Sequence, residues 1–211
     1  MLITILSGFT SISALLCILG KYLKTKTLIY IFKPLTTILI IVIALVASSK
    51  LTGNFKYILY LALIFSLIGD IFLIFEDKFV QGLTNFFVAQ ALFLIGFLLL
   101  GKGYHWWLFT IFTTVAIISY SGLLPYLGKM KLPVLLYIAL ISAMAWRAWE
   151  NWYLFRDTAT ILLAFGSVFY MISDLNFAIN KFIKKYISAE AIILSTYFSA
   201  IWLISISLNF M

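Results

Sequence analysis

The stretch FSLIGDIFLIFEDKF, from Phe65 to Phe79, carries an aspartate, Asp70, in the middle of an otherwise apolar run. About a hundred residues later, FYMISDLNFAINKF, from Phe169 to Phe182, carries Asp174 in the corresponding place. In both stretches a phenylalanine stands five residues before the aspartate, a small residue stands directly before it, and a Lys-Phe pair follows seven to nine residues after it. Two matched acidic residues in apolar surroundings require a structural or functional reason.

The composition of the whole chain predicts a membrane protein. Of its 211 residues, 64% are hydrophobic and 10% are charged, and the mean hydropathy is +1.14. A soluble domain of this size needs a much larger polar surface, and a membrane-spanning helix needs about 20 apolar residues. We therefore expect an all-α integral membrane protein with a single transmembrane domain over residues 1–211. Its eight predicted transmembrane helices lie near residues 2–20, 30–49, 55–76, 82–100, 104–122, 130–148, 157–180 and 188–208.

The N-terminal sequence has neither the charged start nor the small-residue cleavage site of a signal peptide, so we expect the first apolar run to be retained. The single cysteine, Cys17, lies in that run and is expected to face lipid or the protein core. The single histidine, His105, precedes two tryptophans in GYHWW, and aromatic residues of this kind are typical of an interfacial loop. One Cys and one His are too few for a closed zinc site, and the sequence predicts no metal and no cofactor.

The basic residues are distributed unevenly between the two sides of the predicted helices. Ten of the fifteen fall on one side, namely Lys21, Lys24, Lys26, Lys33, Lys78, Lys129, Lys131, Lys181, Lys184 and Lys185. The other side has Lys50, Lys56, Lys102, Arg147 and Arg156. The positive-inside rule then places the first set in the cytoplasm and both termini outside, and we expect a bacterial inner membrane. Basic loops facing anionic membrane lipids account for the net charge of +8 without a nucleic-acid partner.

The segment WRAWENWYLFRD, from Trp146 to Asp157, is rich in both aromatic and charged residues. Aromatic side chains concentrate at the level of the lipid headgroups. We therefore expect this segment to form a solvated interfacial anchor on the outer side, and the alternative is a surface that recognises a lipid headgroup.

The two aspartates lie at matched depth inside predicted helices. An ionisable side chain in such a place costs at least about 2.5–3.5 kcal/mol, and it usually faces the protein interior and marks a site. Asp70 and Asp174 lie about 15 and 17 residues into the third and seventh helices, which cross the membrane in the same direction, so each is roughly 22–26 Å from its helix start and nearer the cytoplasmic end. The match indicates a weak parallel two-fold repeat and makes both aspartates candidate catalytic residues. The alternative is that each only forms a hydrogen bond with a neighbouring helix.

Five further polar residues are candidates for binding a substrate. Lys33, near the start of the second predicted helix, would meet a phosphate or one of the aspartates, or else extend towards the interface. The other four are Asn85 and Gln90 in the fourth helix, Asn176 in the seventh and Tyr197 in the eighth. Each of these four, taken alone, is more often part of a hydrogen bond between helices.

Two long stretches resemble the signature sequences of the YhhN-like family of membrane proteins, whose characterised members are lysoplasmalogenases. They are FSLIGDIFLIFEDKFVQGLTNFFVAQALFLIGF and AFGSVFYMISDLNFAINKF, and shorter similarities lie in KPLT, KMKLPVLLYIALISAMAW and STYFSAIWLISIS. The resemblance covers nearly the whole chain and implies an eight-helix enzyme. Its substrate would be a lysophospholipid, the lysoplasmalogen, hydrolysed at the vinyl ether bond to a fatty aldehyde and glycerophosphoethanolamine or glycerophosphocholine. It also implies that Asp70 and Asp174 are the family's two aspartates, whereas Gln90 stands where many members have a histidine.

The chemistry of vinyl ether hydrolysis suits two carboxyl groups. The β carbon is protonated, water attacks the α carbon of the resulting oxocarbenium ion, and the hemiacetal collapses. These steps require an acid and a base but neither a metal nor a nucleophilic Ser or Cys. Two carboxyl groups close together in a low dielectric do not both ionise easily, so one is expected to keep its proton, and either aspartate could be that acid. The substrate would enter from the bilayer, with its tail in an apolar tunnel and its phosphate near Lys33.

The alternative function is a proton-coupled transporter of a small solute or lipid, because acids inside the membrane are also typical of proton relays. Transporters of this kind often have paired helices that are interrupted near the middle of the membrane. The three prolines, Pro34, Pro125 and Pro133, all lie near the ends of predicted helices. Their positions favour the enzyme.

Overall fold

The computed structural model describes residues 1–49, 51 and 53–211. Within these residues the chain forms eight long helices and no strand. They are α1 (Leu2–Tyr22), α2 (Lys26–Ala47), α3 (Phe55–Phe72), α4 (Phe79–Leu100), α5 (Trp106–Leu123), α6 (Lys131–Phe155), α7 (Thr158–Ala178) and α8 (Ala189–Ser207). Eight helical segments are long and apolar enough to cross a membrane, which confirms the predicted all-α transmembrane fold. Lys50, one of the basic residues assigned above to the outer side, lies outside the described residues.

The predicted helix ends agree with the structure to within four residues, with one exception. Helix α6 continues to Phe155, seven residues beyond its predicted end. It stops at Arg156, whose backbone is left-handed (φ 54°) and whose guanidinium lies over the rings of Trp152 and Tyr153. The added turns carry Glu150 and Asn151, which form hydrogen bonds inside the protein, so their polarity does not mark the end of the helix.

The prediction of a solvated anchor between Trp146 and Asp157 is wrong for the polar residues at its centre. The Arg147 side chain is buried and donates hydrogen bonds to the carbonyl oxygens of Gly103 (2.8 Å) and Gly101 (2.6 Å). Both glycines belong to the loop between α4 and α5. A Cβ atom at Gly103 would lie 2.5 Å from the side chain of Leu154, so the loop lies close against α6 and a larger residue there would require Leu154 to move. Arg147 thus fastens the loop to α6.

His105, just before α5, takes part in the same attachment rather than lying freely in the interface. Its ring Nδ1 is 2.5 Å from Oε1 of Glu150, and its backbone N–H donates to Oε2 of the same carboxyl group at 3.2 Å. Glu150 is completely buried, and a buried charge is tolerated when it is paired and hydrogen-bonded. The neighbouring Asn151 donates to the carbonyl oxygen of Phe97 at the end of α4 (2.8 Å).

The most extensive packing between helices joins α1 with α2, α3 with α4 and α7 with α8, while α6 packs against both α5 and α7. Small residues allow close approach within a pair. A Cβ atom at Gly166 of α7 would lie 3.0 Å from the carbonyl oxygen of Ala200 in α8. Large side chains such as Phe93 and Tyr170 are fully buried between the pairs, and Cys17 also lies in this core, which decides between its two expected environments.

Helix α2 begins four residues earlier than predicted and runs unbroken from Lys26 to Ala47. Pro34 therefore lies inside the helix rather than near its end, which corrects the prediction. A proline has no N–H to donate to the carbonyl four residues earlier, here that of Tyr30. The residue before the proline, Lys33, is buried, so its side chain turns inward and does not extend to the interface.

Candidate active site

Asp70 lies in the last turn of α3 and is completely buried. Its Oδ2 accepts a hydrogen bond from the Thr37 hydroxyl of α2 (2.6 Å) and another from the Tyr197 hydroxyl of α8 (2.8 Å). The Tyr197 ring is held in place by edge-to-face contacts with Phe86 and Tyr170, at centroid distances of 5.5 and 5.7 Å. Three helices therefore fix the position of this carboxyl group.

The Lys33 ammonium forms an ion pair with Asp70. Its Nζ lies 3.3 Å from Oδ1 and 3.5 Å from the backbone carbonyl oxygen of Asp70. The angle at Oδ1 does not make a well-directed hydrogen bond, so the contact is mainly electrostatic. Because two buried charges are costly unless they neutralise each other, Lys33 and Asp70 compensate one another. Lys33 is thereby committed to the aspartate, which is one of its two expected functional contacts.

Asp174 lies near the end of α7 and has neutral partners. Its Oδ2 accepts hydrogen bonds from Nε2 of Gln90 in α4 (2.6 Å) and from the hydroxyl of Tyr137 in α6 (3.0 Å). Gln90 Nε2 also lies 2.9 Å from the Tyr137 hydroxyl oxygen and donates to it. Among the described residues no cation lies within ion-pair distance of Asp174 and no hydrogen bond reaches its Oδ1. The two aspartates thus have different electrostatic environments.

The helices that contact the two aspartates correspond between the halves of the chain. Asp70 of α3 is contacted from α2 and α8, and Asp174 of α7 is contacted from α6 and α4. If α1–α4 are matched to α5–α8, then α2 corresponds to α6 and α8 corresponds to α4. Each aspartate is therefore held by the equivalent pair of helices, as the predicted parallel repeat requires.

Both aspartates line one cavity of about 340 Å³, a size that falls within the range of small-molecule sites. Most of its wall is apolar and includes Phe86, Phe112, Leu123, Val134, Ile138 and Met171. Where α1 ends and α8 begins, the wall carries the charged side chains of Lys21 and Glu190. The cavity thus combines a long apolar surface, two acidic groups and a charged margin.

No hydrogen bond joins the carboxyl groups of Asp70 and Asp174 among the described residues. The sequence predicted two carboxyl groups close enough for one of them to keep its proton, and no direct hydrogen bond supports that closeness. Instead, each carboxyl group has its own set of donors, and only that of Asp70 includes an ammonium. Their surroundings, rather than mutual repulsion, distinguish the two groups chemically.

The structure brings together three of the five predicted binding residues. Lys33 and Tyr197 contact Asp70, and Gln90 contacts Asp174. Of the residues that the structure describes, Asn85 and Asn176 are not among those lining the cavity. Asn85 donates to the carbonyl of Gln81 in its own helix, and Asn176 donates to that of Ile172 and accepts from Tyr186, so their amides serve local hydrogen bonds.

Two residues that touch the aspartates were not among the predicted ones, Thr37 and Tyr137. A signal for Thr37 was present, because it follows Lys33 by four residues and residues four apart share a helix face. Tyr137 has no comparable signal, since α6 meets α7 only through the tertiary packing. Within the described residues no group of three or more Cys, His, Asp or Glu side chains could hold a metal ion.

Comparison with known proteins gives a match to a family profile and matches to individual relatives. The sequence profile of the YhhN family matches residues 28–208. The chain is 35% identical to human lysoplasmalogenase TMEM86A over 71% of its own length and 64% of that protein, and 32% identical to rat lysoplasmalogenase TMEM86B over 74% and 63%. It is 26% identical to the uncharacterized membrane protein YhhN of Escherichia coli O157:H7 over 85% and 86%. The chain thus spans slightly less than two thirds of these lysoplasmalogenases, and no solved structure matches it at a significant level.

Proposed function

This chain belongs to the YhhN family, and we propose that it is a lysoplasmalogenase, which hydrolyses the vinyl ether bond of a lysoplasmalogen to a fatty aldehyde and a glycerophospholipid headgroup. The observation that carries the proposal is the pair of carboxyl groups, Asp70 and Asp174, on the wall of one largely apolar cavity. The names of the human and rat relatives support the same reaction.

The contacts of the two carboxyl groups suggest different roles. A carboxyl group next to an ammonium is stabilised as the anion, whereas one with only neutral donors in an apolar cavity keeps its proton more readily. We therefore assign Asp174 as the general acid and Asp70 as the anion. In this assignment Oδ2 of Asp174 accepts from Gln90 and Tyr137, and Oδ1 carries the proton that is given to the substrate.

The proposed reaction begins when Asp174 transfers its proton to the β carbon of the vinyl ether. The positive charge that develops on the α carbon and the ether oxygen is stabilised by the Asp70 carboxylate. Water then adds to the α carbon and gives its proton to Asp70, which produces a hemiacetal.

Collapse of the hemiacetal restores both carboxyl groups. The hemiacetal hydroxyl returns a proton to Asp174 as the aldehyde forms, and Asp70 gives its proton to the departing glycerol oxygen. The sum of these steps consumes one water molecule and requires no oxidant, reductant or covalent intermediate with the protein. General acid–base catalysis of this kind usually contributes about 10²–10⁴-fold to the rate.

The shape of the cavity suggests how the substrate is held. The apolar wall formed by α4 to α7 would take the alkenyl chain, because burial of each methylene group contributes about 0.8 kcal/mol. The vinyl ether would then lie at the aspartates. The glycerol and its phosphate would extend towards the charged margin near the ends of α1 and α8.

The proposal is tested with purified protein in detergent and a 1-alkenyl lysophosphoethanolamine. Release of fatty aldehyde is expected, measured by a coupled aldehyde reductase. The matched control substrate is the 1-acyl lysophosphoethanolamine of the same chain length, from which no fatty acid should be released. A wild-type protein that releases no aldehyde would contradict the proposal and favour the proton-coupled transporter.

We also propose that the aspartates lie nearer the cytoplasmic side of a bacterial inner membrane, with both termini outside. The support is the excess of Lys and Arg at the end of the helix bundle where α1 ends and α8 begins. In a Cys17→Ala background, Lys102→Cys should react with a membrane-impermeant maleimide added to intact cells, and Lys185→Cys should not. The reverse pattern would invert the assigned orientation.

A further inference from the structure

A second ion pair lines the same cavity as the aspartates. Nζ of Lys21, in the last turn of α1, lies 3.3 Å from Oε2 of Glu190, in the first turn of α8. Both residues belong to the cavity wall. Their side chains are 30% and 38% exposed, in contrast to the Lys33–Asp70 pair, whose side chains are 10% and 0% exposed. The outer pair is therefore more exposed than the inner pair, although both pairs lie on the cavity wall.

The inner lysine is poorly placed to bind a phosphate. Lys33 is buried and is the sole cation among the described residues within ion-pair distance of Asp70. Moving its ammonium to a substrate phosphate would leave the Asp70 carboxylate buried without compensation, which is strongly unfavourable. Lys21 has no such commitment, since its partner Glu190 is itself partly solvated.

We propose that Lys21 and Glu190 together recognise a zwitterionic headgroup, with Lys21 binding the phosphate and Glu190 binding the amine cation beyond it. This inference rests on the proposed function and assigns the residues that would bind the phosphoethanolamine or phosphocholine headgroup. In such a lipid the anion and the cation are neighbours, as the ammonium of Lys21 and the carboxylate of Glu190 are in the protein. A zwitterion can therefore replace one ion pair with two.

The exchange has a small energetic cost. Exposed ion pairs contribute little to stability because water already solvates both groups. Opening the Lys21–Glu190 contact therefore loses little, while the headgroup gains a charge-assisted hydrogen bond at its phosphate and an opposite charge at its amine. A headgroup without the cation would leave the Glu190 carboxylate close to the phosphate, where the two negative charges repel each other.

The test compares three 1-alkenyl lipids with one chain length, bearing phosphoethanolamine, bearing phosphate alone, or bearing no headgroup (1-alkenylglycerol). The variants are Glu190→Gln, Lys21→Met, and the double exchange Lys21→Glu with Glu190→Lys, which keeps an ion pair between α1 and α8. Glu76→Gln and Lys24→Met are the matched controls, since both residues are exposed and outside the cavity wall. The readout is kcat/KM for aldehyde release, with size-exclusion profiles to check folding.

For Glu190→Gln we expect kcat/KM to fall at least about tenfold for the phosphoethanolamine lipid and not to fall for the lipid with phosphate alone. The loss should come from a higher KM and not from a lower kcat. Lys21→Met should lower kcat/KM for both phosphate-bearing lipids but not for 1-alkenylglycerol. The double exchange should lose the preference for phosphoethanolamine although it preserves the contact between the helices. If the ion pair were purely structural, the single variants would lose kcat/KM equally for all three lipids. The double exchange would then keep the wild-type preference for phosphoethanolamine, and this result would overturn the proposal.

Failure of the headgroup inference is distinguishable from failure of the proposed function. If wild-type protein releases aldehyde but Glu190→Gln and Lys21→Met leave the ratio of kcat/KM between the three lipids unchanged, the inference alone is wrong. If wild-type protein releases aldehyde from none of the three, the proposed function is wrong and the headgroup inference is wrong with it.

Discussion

Asp70 and Asp174 each accept two hydrogen bonds at Oδ2 from two neighbouring helices, yet among the described residues only Asp70 also has a lysine, 3.3 Å from its Oδ1. The corresponding pairs of helices, α2 with α8 and α6 with α4, supply these contacts. The two carboxyl groups thus have corresponding helix contacts, and the side chains on those helices make the groups different. This difference is what an acid and a base on one reaction path require.

Replacing either aspartate with asparagine should remove most of the activity. Asp70→Asn and Asp174→Asn keep the size of the side chain but not its ability to exchange a proton, so aldehyde release should fall about 10²–10⁴-fold. Asp77→Asn, an exposed residue in the segment before α4, is the control and should retain full activity. If both variants kept more than a tenth of the wild-type rate while remaining folded, the two-carboxylate mechanism would be wrong.

Replacing Lys33 with methionine should lower kcat rather than raise KM. The lysine is paired with Asp70 inside the protein, so its loss removes the charge that, in the proposed mechanism, keeps the aspartate ionised. Lys33→Met should therefore resemble Asp70→Asn in kcat and leave the KM for a phosphate-bearing lipid nearly unchanged. A large rise in KM with an unchanged kcat would return Lys33 to the phosphate-binding role that the sequence suggested.

The positions of solvent atoms in the products follow from the direction of the proposed reaction. In D₂O one deuterium should appear at C2 of the aldehyde, because the β carbon of the vinyl ether takes the proton. In ¹⁸O-labelled water the label should enter the aldehyde oxygen and not the glycerol hydroxyl. The aldehyde must be reduced at once to an alcohol, since its oxygen exchanges with water, and both products are then measured by mass spectrometry. Label in the glycerol hydroxyl would show that the bond between glycerol carbon and oxygen is cleaved instead.

The buried polar cluster between α6 and the α4–α5 loop should affect stability and not catalysis. Glu150→Ala removes the acceptor of two hydrogen bonds from the ring and backbone N–H of His105, and one hydrogen bond typically contributes about 0.5–1.5 kcal/mol to stability. We expect a lower thermal unfolding midpoint in detergent with unchanged kcat and KM at low temperature. Glu76→Ala, an exposed acidic residue, should change neither quantity. A loss of kcat in a folded Glu150→Ala protein would show that this cluster communicates with the aspartates.

Removal of divalent metal should have no effect on the rate. The proposed mechanism activates water with Asp70 and protonates carbon with Asp174, so EDTA should leave aldehyde release unchanged. Protein treated with chelator and passed through a desalting column provides the comparison with untreated protein. Loss of activity that one metal restores would favour a metal-activated water over the two-carboxylate mechanism.

The sequence by itself determined the number, the type and nearly all the ends of the helices, because long apolar runs have few alternatives in a membrane. It also showed that Asp70 and Asp174 are unusual and predicted that they lie at equivalent depth, since charge inside the membrane is costly. It placed the end of α6 too early, because Arg147 and Glu150 look exposed in sequence and are buried in the structure.

Only the tertiary structure decided which residues meet. Hydrogen bonds between Tyr197 and Asp70 or between Gln90 and Asp174 join residues 127 and 84 positions apart, and no local pattern encodes such contacts. Gln90 and Asn85 lie in the same helix, and the sequence did not show which of them would reach the site. In the structure Gln90 donates to Asp174, whereas Asn85 donates to a carbonyl oxygen of its own helix. Helix rotation is set by side-chain packing against neighbouring helices, and that rotation separates a site residue from a lipid-facing one.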